Sequence, residues 1–111
     1  MPNIGLGTDK LLDAERHPQV FYDAIKLIGY RLLDCAAIYT NEALVGQAIQ
    51  RVVSEPKDVD GSGVGREDLF VITKLWMDSF ADPEAALRTS MGKLQVEYVD
   101  CYMVHWPAGF F

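Results

Sequence analysis

The sequence has few cysteines, no long apolar run and no surplus of basic residues, and each shortage excludes a class of protein. Only two cysteines, Cys35 and Cys101, occur in 111 residues, and each lies inside an apolar, strand-like run. We interpret them as small buried side chains rather than as a disulfide or reactive thiols, because free cysteine is among the most buried residue types. A cytoplasmic protein is the simplest expectation.

Membrane and nucleic-acid partners are not expected. No apolar stretch approaches the ~20 residues that a membrane-spanning helix needs, and the segment from Met1 to Gly7 lacks the basic-then-apolar order of a signal peptide. Acidic residues outnumber Lys and Arg by 16 to 10, which gives a formal net charge of −6. Such a surface repels phosphate backbones, so binding to nucleic acid is disfavoured.

Metal-binding and phosphate-loop motifs are weak or missing. His17, His105, Cys35 and Cys101 show no metal-ligand spacing, so no metal site is expected. The run Gly61–Gly65 (GSGVG) looks like a phosphate loop, but it precedes a strand-like run instead of joining a strand to a helix. A flexible loop is the better interpretation.

What is present is an alternation of short apolar runs with segments of helical spacing, enough for one domain with its own core. Helices are predicted to begin at or just after His17, Asn41 and Asp82, which are typical helix starts or precede a first-turn proline. Gly29 fits a left-handed C-cap, and Glu42 falls in a first turn, where negative charge is favourable. The predicted strands are Ile4–Gly7, Tyr30–Ala37, Leu69–Thr73 and Val99–Val104.

The resulting order is β-α-β-α-β-α-β. Strands that alternate with helices in this way are expected to be parallel and joined by right-handed crossovers. Two α/β architectures remain open on this pattern, a doubly wound sheet and part of a (β/α)8 barrel.

Ionisable residues fall at three successive predicted strand ends. Asp34 closes the second strand, with Tyr39 just beyond it, while Lys74 directly follows the third strand and His105 the fourth. Because the carboxyl ends of parallel strands share one edge, the four side chains are predicted to form one pocket. Taken singly, the carboxylate could cap a turn, the lysine could be solvated and the histidine could be a core residue.

Together the four groups suit the reduction of a carbonyl. Tyrosine is a weak acid at neutral pH, and a nearby ammonium such as Lys74 favours its phenolate and so makes Tyr39 a better proton donor. A carboxylate such as Asp34 keeps a buried lysine charged. His105 can donate a hydrogen bond to the carbonyl oxygen as negative charge develops there.

The motifs that contain these residues resemble those of the aldo-keto reductases, and they follow in that family's order and spacing. The resemblance implies the N-terminal portion, about four βα units, of a TIM (β/α)8 barrel that reduces aldehydes or ketones with NADPH. The matching stretches are MPNIGLGT (1–8), GYRLLDCAAIYTNEALVGQAI (29–49), REDLFVITKLW (66–76) and LQVEYVDCYMVHWP (94–107).

The resemblance also implies roles for single residues. The family's catalytic tetrad falls on Asp34, Tyr39, Lys74 and His105. Trp76 and Trp106 match aromatic positions that line the substrate pocket, although packing around the barrel mouth is the alternative interpretation. Thr8 and Asp34 match positions near the nicotinamide of the cofactor.

The chain departs from the family pattern in two ways. Asp9 stands where many members have a tryptophan in the substrate pocket, so an apolar substrate preference is not carried over. A complete barrel takes roughly 250 residues, whereas residues 1–111 form one domain that is expected to stop after the fourth strand, without the residues that hold the cofactor phosphates. We therefore expect this piece to be inactive by itself.

Two other interpretations remain open. Some aldo-keto reductase relatives serve as channel-associated subunits, so a non-catalytic binding or regulatory protein is the first alternative. The second is another barrel or flavodoxin-like enzyme, in which the matching motifs would be coincidental.

Overall fold

The computed structural model describes residues 1–109 and contains one sheet of four parallel strands in chain order. The strands are β1 (Gly5–Gly7), β2 (Leu32–Asp34), β3 (Phe70–Leu75) and β4 (Cys101–Val104). The α-helices are α1 (His17–Asp23), α2 (Glu42–Ser54) and α3 (Pro83–Leu94). The predicted order of elements and the parallel pairing are confirmed.

Each strand begins one or two residues later than predicted, and β2 and β3 also end at different residues. The strand predicted over Tyr30–Ala37 is reduced to β2, because the chain turns into a 3₁₀-helix at Ala37–Tyr39 soon after Asp34. In contrast, β3 continues to Leu75, which pairs with Val104 of β4. The prediction that Lys74 directly follows the strand is therefore wrong: pairing with β4 keeps this residue inside β3, one position before its end.

The first helix changes its winding midway. It begins at His17 with Pro18 in its first turn, as predicted, and continues after Asp23 as a π-helix over Ala24–Ile28. Gly29 ends it with φ 93°, the left-handed conformation that glycine adopts without strain.

The core lies between the sheet and a layer of helices. Because α2 contacts both α1 and α3, the three helices form one layer, as in a barrel; a doubly wound sheet would place helices on both faces. The twelve residues of the buried cluster come from all three helices, from the sheet and from the segments next to them: Phe21, Ile25, Leu33, Cys35, Val45, Ala48, Ile49, Val52, Val64, Leu69, Val71 and Leu94.

The contact between α2 and α3 is close because of Gly46. A Cβ atom at this position would lie 2.3 Å from the backbone oxygen of Lys93, which no side chain tolerates. The start of α3 is fixed by Asp82, whose carboxylate accepts a hydrogen bond from the Ala85 backbone N–H at 2.9 Å. The predicted cap at Asp82 is confirmed.

Both cysteines are free thiols. Cys35 is buried and Cys101 half-buried, and burial raises the pKa of the Cys35 thiol to about 12. Cys35 is packed in the core as predicted, whereas Cys101 is less buried than predicted. No helix within residues 1–109 has both the length and the apolar character that crossing a membrane requires.

Candidate active site

The strand ends bring the predicted residues to one edge of the sheet. Asp34 is the last residue of β2, and Lys74 lies near the end of β3, opposite Met103 of β4. His105 follows β4 directly, and its backbone N–H donates to Leu75 O at 3.0 Å, which extends the ladder by one more bond. Three neighbouring strands thus deliver a carboxylate, an ammonium and an imidazole to the same rim.

Lys74 is the centre of this cluster. Its Nζ donates to Asp34 Oδ1 at 2.5 Å, to the backbone oxygen of Cys35 at 2.9 Å and to Tyr39 Oη at 3.2 Å. The three donor hydrogens of an ammonium are therefore all used. The residue is 8% exposed, so these partners take the place of water.

The charge of Lys74 is maintained by its partners. Burial by itself lowers the pKa of Lys74, but the hydrogen bonds and charges of Asp34 and Tyr39 outweigh it, and the pKa is raised above its usual value. The ammonium is thus the form present at neutral pH. This agrees with the predicted pairing of a buried lysine with a carboxylate.

Tyr39 is held by a tight loop between β2 and α2. It ends the 3₁₀-helix, and Thr40 after it adopts a left-handed conformation with φ 59°. Asn41 then enters the interior, where its Nδ2 donates to the backbone oxygens of Thr8 at 2.6 Å and Leu11 at 3.0 Å. The predicted cap of α2 by the Asn41 side chain is therefore not formed, because the amide is held inward by these two bonds; its Oδ1 has no partner within residues 1–109.

His105 packs edge-on against two aromatic rings. Its ring lies 5.7 Å from that of Tyr39, at 90°, and 5.3 Å from that of Trp76, at 86°. Such T-shaped contacts fix the orientation of a ring. Within residues 1–109 its Nδ1 is buried and has no hydrogen-bond partner.

The remaining predicted site residues differ in exposure. Thr8 is fully buried, and its hydroxyl donates to the backbone oxygen of Asp34 at 2.9 Å, which supports the end of β2. Trp76 is half-buried beside His105, whereas Asp9 is exposed and Trp106 is 57% exposed. The structure brings the four tetrad residues, Thr8 and Trp76 together, while substrate contacts of Asp9 and Trp106 stay predictions.

The Glu42 side chain points into the interior, which was not predicted. This residue was predicted only as a first-turn acid that favours the helix dipole, and it does lie in the first turn. It is also 2% exposed and accepts hydrogen bonds from Thr73 Oγ1 and Ser90 Oγ. A serine and a threonine inside otherwise apolar faces were the available signal, because buried hydroxyls need partners.

Comparison with known proteins agrees with this geometry. The sequence profile of the aldo/keto reductase family matches residues 3–109. An aldo-keto reductase from Mycolicibacterium vanbaalenii is 48% identical over 111 residues, covering 98% of this chain and 36% of that protein. Glycerol 2-dehydrogenase (NADP(+)) from Saccharomyces cerevisiae is 47% identical over 108 residues, covering 97% of this chain and 31% of that protein. The solved structure of aldose reductase from Giardia lamblia superposes with a TM-score of 0.82 at 35% identity, covering 98% of this chain and 34% of that one.

Four parallel strands under one helical layer, with a Lys-centred polar cluster at their carboxyl ends, define part of a β/α-barrel protein. The chain belongs to the aldo-keto reductase family. It spans about a third of the length of the relatives it matches. The predicted family and the predicted partial barrel are both confirmed.

The residues present fit the reactive end of a nicotinamide. The Asp34 side chain is 39% exposed and only its Oδ1 is engaged by Lys74 within residues 1–109, so Oδ2 can accept a hydrogen bond from an amide. No three His, Cys, Asp or Glu side chains of the described part of the chain are grouped in a way that could hold a metal ion.

Proposed function

We propose that this chain supplies the catalytic residues of an oxidoreductase that converts aldehydes or ketones to alcohols with hydride from NADPH. The observation that carries the proposal is the contact of Lys74 Nζ with both Asp34 and Tyr39 Oη, at 2.5 and 3.2 Å. Family membership supports the same reaction class.

Tyr39 is the proposed proton donor. Its Oη accepts a hydrogen bond from Lys74, so the phenol's own hydrogen is free to point toward a substrate oxygen. When that proton leaves, the ammonium faces the phenolate that remains and stabilises it. Asp34 balances the charge of the lysine and holds the ammonium in place.

His105 is proposed to orient the carbonyl. Its ring is fixed beside the Tyr39 ring by edge-on packing, so an imidazole N–H can donate to the same oxygen that the phenol protonates. This donor stabilises the negative charge that develops on the oxygen as hydride reaches the carbon. The product is an alcohol, and the phenolate of Tyr39 regains a proton from water.

NADPH is proposed as the cofactor from relatives, one of which carries NADP(+) in its name. When bound, the reduced nicotinamide supplies the hydride. Asp34 is the proposed contact for its carboxamide, with Thr8 behind it holding the end of β2.

We further propose that turnover needs a complete barrel and that residues 1–111 alone are inactive. The proposed substrate is a small carbonyl compound in a pocket walled by Trp76 and Trp106, with Asp9 adding a negative charge that favours polar substrates. Since both cysteines are free thiols, we propose a reducing compartment, the cytoplasm, as its location.

The experiment is a complete barrel made by joining this chain to the remaining strands and helices of an aldo-keto reductase. NADPH oxidation with a simple aldehyde is followed for the wild type and for Tyr39→Phe, which should lose about 10²–10⁴ of its turnover. Tyr98→Phe is the matched control, because Tyr98 precedes β4 at the opposite end of the sheet and stacks on Arg66. More than a tenth of wild-type turnover in Tyr39→Phe would reject the assignment.

A further inference from the structure

Glu42 is a buried carboxylate without a cationic partner among residues 1–109. It is 2% exposed, and each of its oxygens accepts one hydrogen bond: Oε2 from Thr73 Oγ1 at 2.7 Å and Oε1 from Ser90 Oγ at 2.9 Å. Burying a carboxylate is unfavourable unless its bonds are satisfied. A first-turn acid would stabilise α2 equally well at the surface, so the burial of Glu42 indicates a further role.

The two bonds join segments that carry the proposed catalytic groups. Glu42 follows Tyr39 by three residues, and Thr73 immediately precedes Lys74 in β3. Successive side chains of a strand point to opposite faces, so Thr73 faces the helices while Lys74 faces the other side. Two hydrogen bonds therefore connect the loop after β2 to β3. The Glu42–Thr73 bond lies on the helix side of the sheet, and the Tyr39–Lys74 bond lies on the opposite side.

We propose that Glu42 is a positioning residue that fixes Tyr39 against Lys74, an inference that rests on the proposed function for its catalytic consequence. With the Glu42 link in place, the loop from Tyr39 to Glu42 cannot slide along β3 or lift from it. Ser90 bonds the other oxygen of the same carboxylate from α3, a contact that does not join the loop to β3.

The role depends on hydrogen bonding rather than on charge. Both partners are hydroxyls, which donate or accept equally well. Glu42→Gln keeps the shape and can still bond both Thr73 and Ser90, so it should rescue what Glu42→Ala loses. A requirement for the negative charge itself would make the two variants equally defective.

The test measures the Tyr39–Lys74 contact directly in the 111-residue chain, without any turnover. Lys74 Nζ lies 4.9 Å from the centre of the Tyr39 ring, so protons of the lysine Cε and of the ring should give a nuclear Overhauser effect. We expect this signal in the wild type and in Glu42→Gln, and its loss in Glu42→Ala. If Glu42→Ala does not fold, Thr73→Val removes only the hydroxyl at nearly constant shape and should lose the signal too.

Ser90→Ala is the matched control, because it removes the bond to α3 and leaves the bond to β3; it should keep the signal. A full signal in Glu42→Ala or in Thr73→Val would overturn the proposal. So would its loss in Glu42→Gln.

Activity in the complete barrel gives a second readout. Glu42→Ala should lower kcat on the order of 10²-fold, since small misplacements of catalytic groups are costly, while KM for NADPH changes less than threefold. Glu42→Gln should stay within threefold of wild type in kcat. An inactive wild-type barrel would contradict the proposed function, while the nuclear Overhauser effect would still test whether Glu42 positions Tyr39. If that effect changed with the variants as expected but kcat did not, only the catalytic consequence of the positioning would be contradicted.

Discussion

Replacing Lys74 with methionine tests the centre of the site, because methionine fills a similar volume but donates no hydrogen bond. The change removes three bonds from one nitrogen, to Asp34, Cys35 and Tyr39. Removing one partner of a fully buried ion pair costs about 3–5 kcal/mol. The Asp34 side chain is 39% exposed, so water reaches the carboxylate that remains, and we expect a smaller loss of about 1–3 kcal/mol in the free energy of unfolding.

The loss should depend on pH in a direction that the structure fixes. The pKa of Lys74 is raised in the folded chain above its usual 10.5, so below that pH both states hold the proton and the stabilisation is fully present. Above it, the unfolded chain releases the proton first while the folded chain retains it. Stability from this residue therefore falls as pH rises past about 10.5, and Lys74→Met has no such contribution.

The assay is urea unfolding of the wild type and of Lys74→Met between neutral pH and the alkaline limit of folding. The difference in unfolding free energy between the two proteins should be constant from about pH 6 to 9, because Lys74 is protonated in both the folded and the unfolded chain there. It should narrow at higher pH. Lys93→Met, which changes an exposed lysine of α3, should cost less than about 0.5 kcal/mol. A difference for Lys74→Met that is no larger than this, or that grows at alkaline pH, would refute the reasoning.

Three further predictions concern packing, thiol reactivity and specificity. Gly46→Ala should lower the unfolding free energy by about 1–3 kcal/mol, because the added Cβ would meet the backbone of α3. Gly92→Ala has no atom within 4 Å of its added Cβ and should raise the unfolding free energy by about 0.4–1 kcal/mol. Urea unfolding measures both variants, and equal effects would contradict the close contact between the helices. Cys35 should be alkylated on the order of 10²-fold more slowly in the native chain than in urea, because a buried thiol with a pKa of about 12 forms almost no thiolate at pH 8. Mass spectrometry should find the half-buried Cys101 modified first. In the complete barrel, Asp9→Trp should raise kcat/KM for an apolar aldehyde relative to a hydroxylated one on the order of tenfold, and an unchanged ratio would remove Asp9 from the substrate pocket.

Local signals in the sequence predicted the order of the elements and which residues gather at the edge of the sheet. Pro83 marks the start of a helix because its ring fixes φ, and Gly29 marks an end because glycine adopts a left-handed φ without strain; both predictions are confirmed. The gathering of Asp34 and Lys74 followed from topology alone, because parallel strands must deliver their carboxyl ends to one edge. Periodicity could not choose between a barrel and a doubly wound sheet; that choice depends on which face the helices cover.

What the sequence could not give was the direction of single side chains at element boundaries. Asn41 and Glu42 are a helix cap and a first-turn acid by pattern, and the backbone agrees. Their side chains turn inward because buried groups elsewhere in the chain need partners: the carbonyls of Thr8 and Leu11 for the amide, and two hydroxyls for the carboxylate. Such partners are distant in sequence, so no local rule identifies them.

The contacts described for the site are made by β2, β3, β4 and the loop after β2. Lys74 reaches its carboxylate on the neighbouring strand β2 and the phenol on the loop that follows it, and His105 arrives on the strand at its other side. These contacts lie within residues 1–109, so the proposed proton-transfer groups should be in place before any cofactor is bound. Cofactor binding in a complete barrel would then add a hydride donor to a site that is already organised, which is the condition under which preorganised electrostatics contribute most to catalysis.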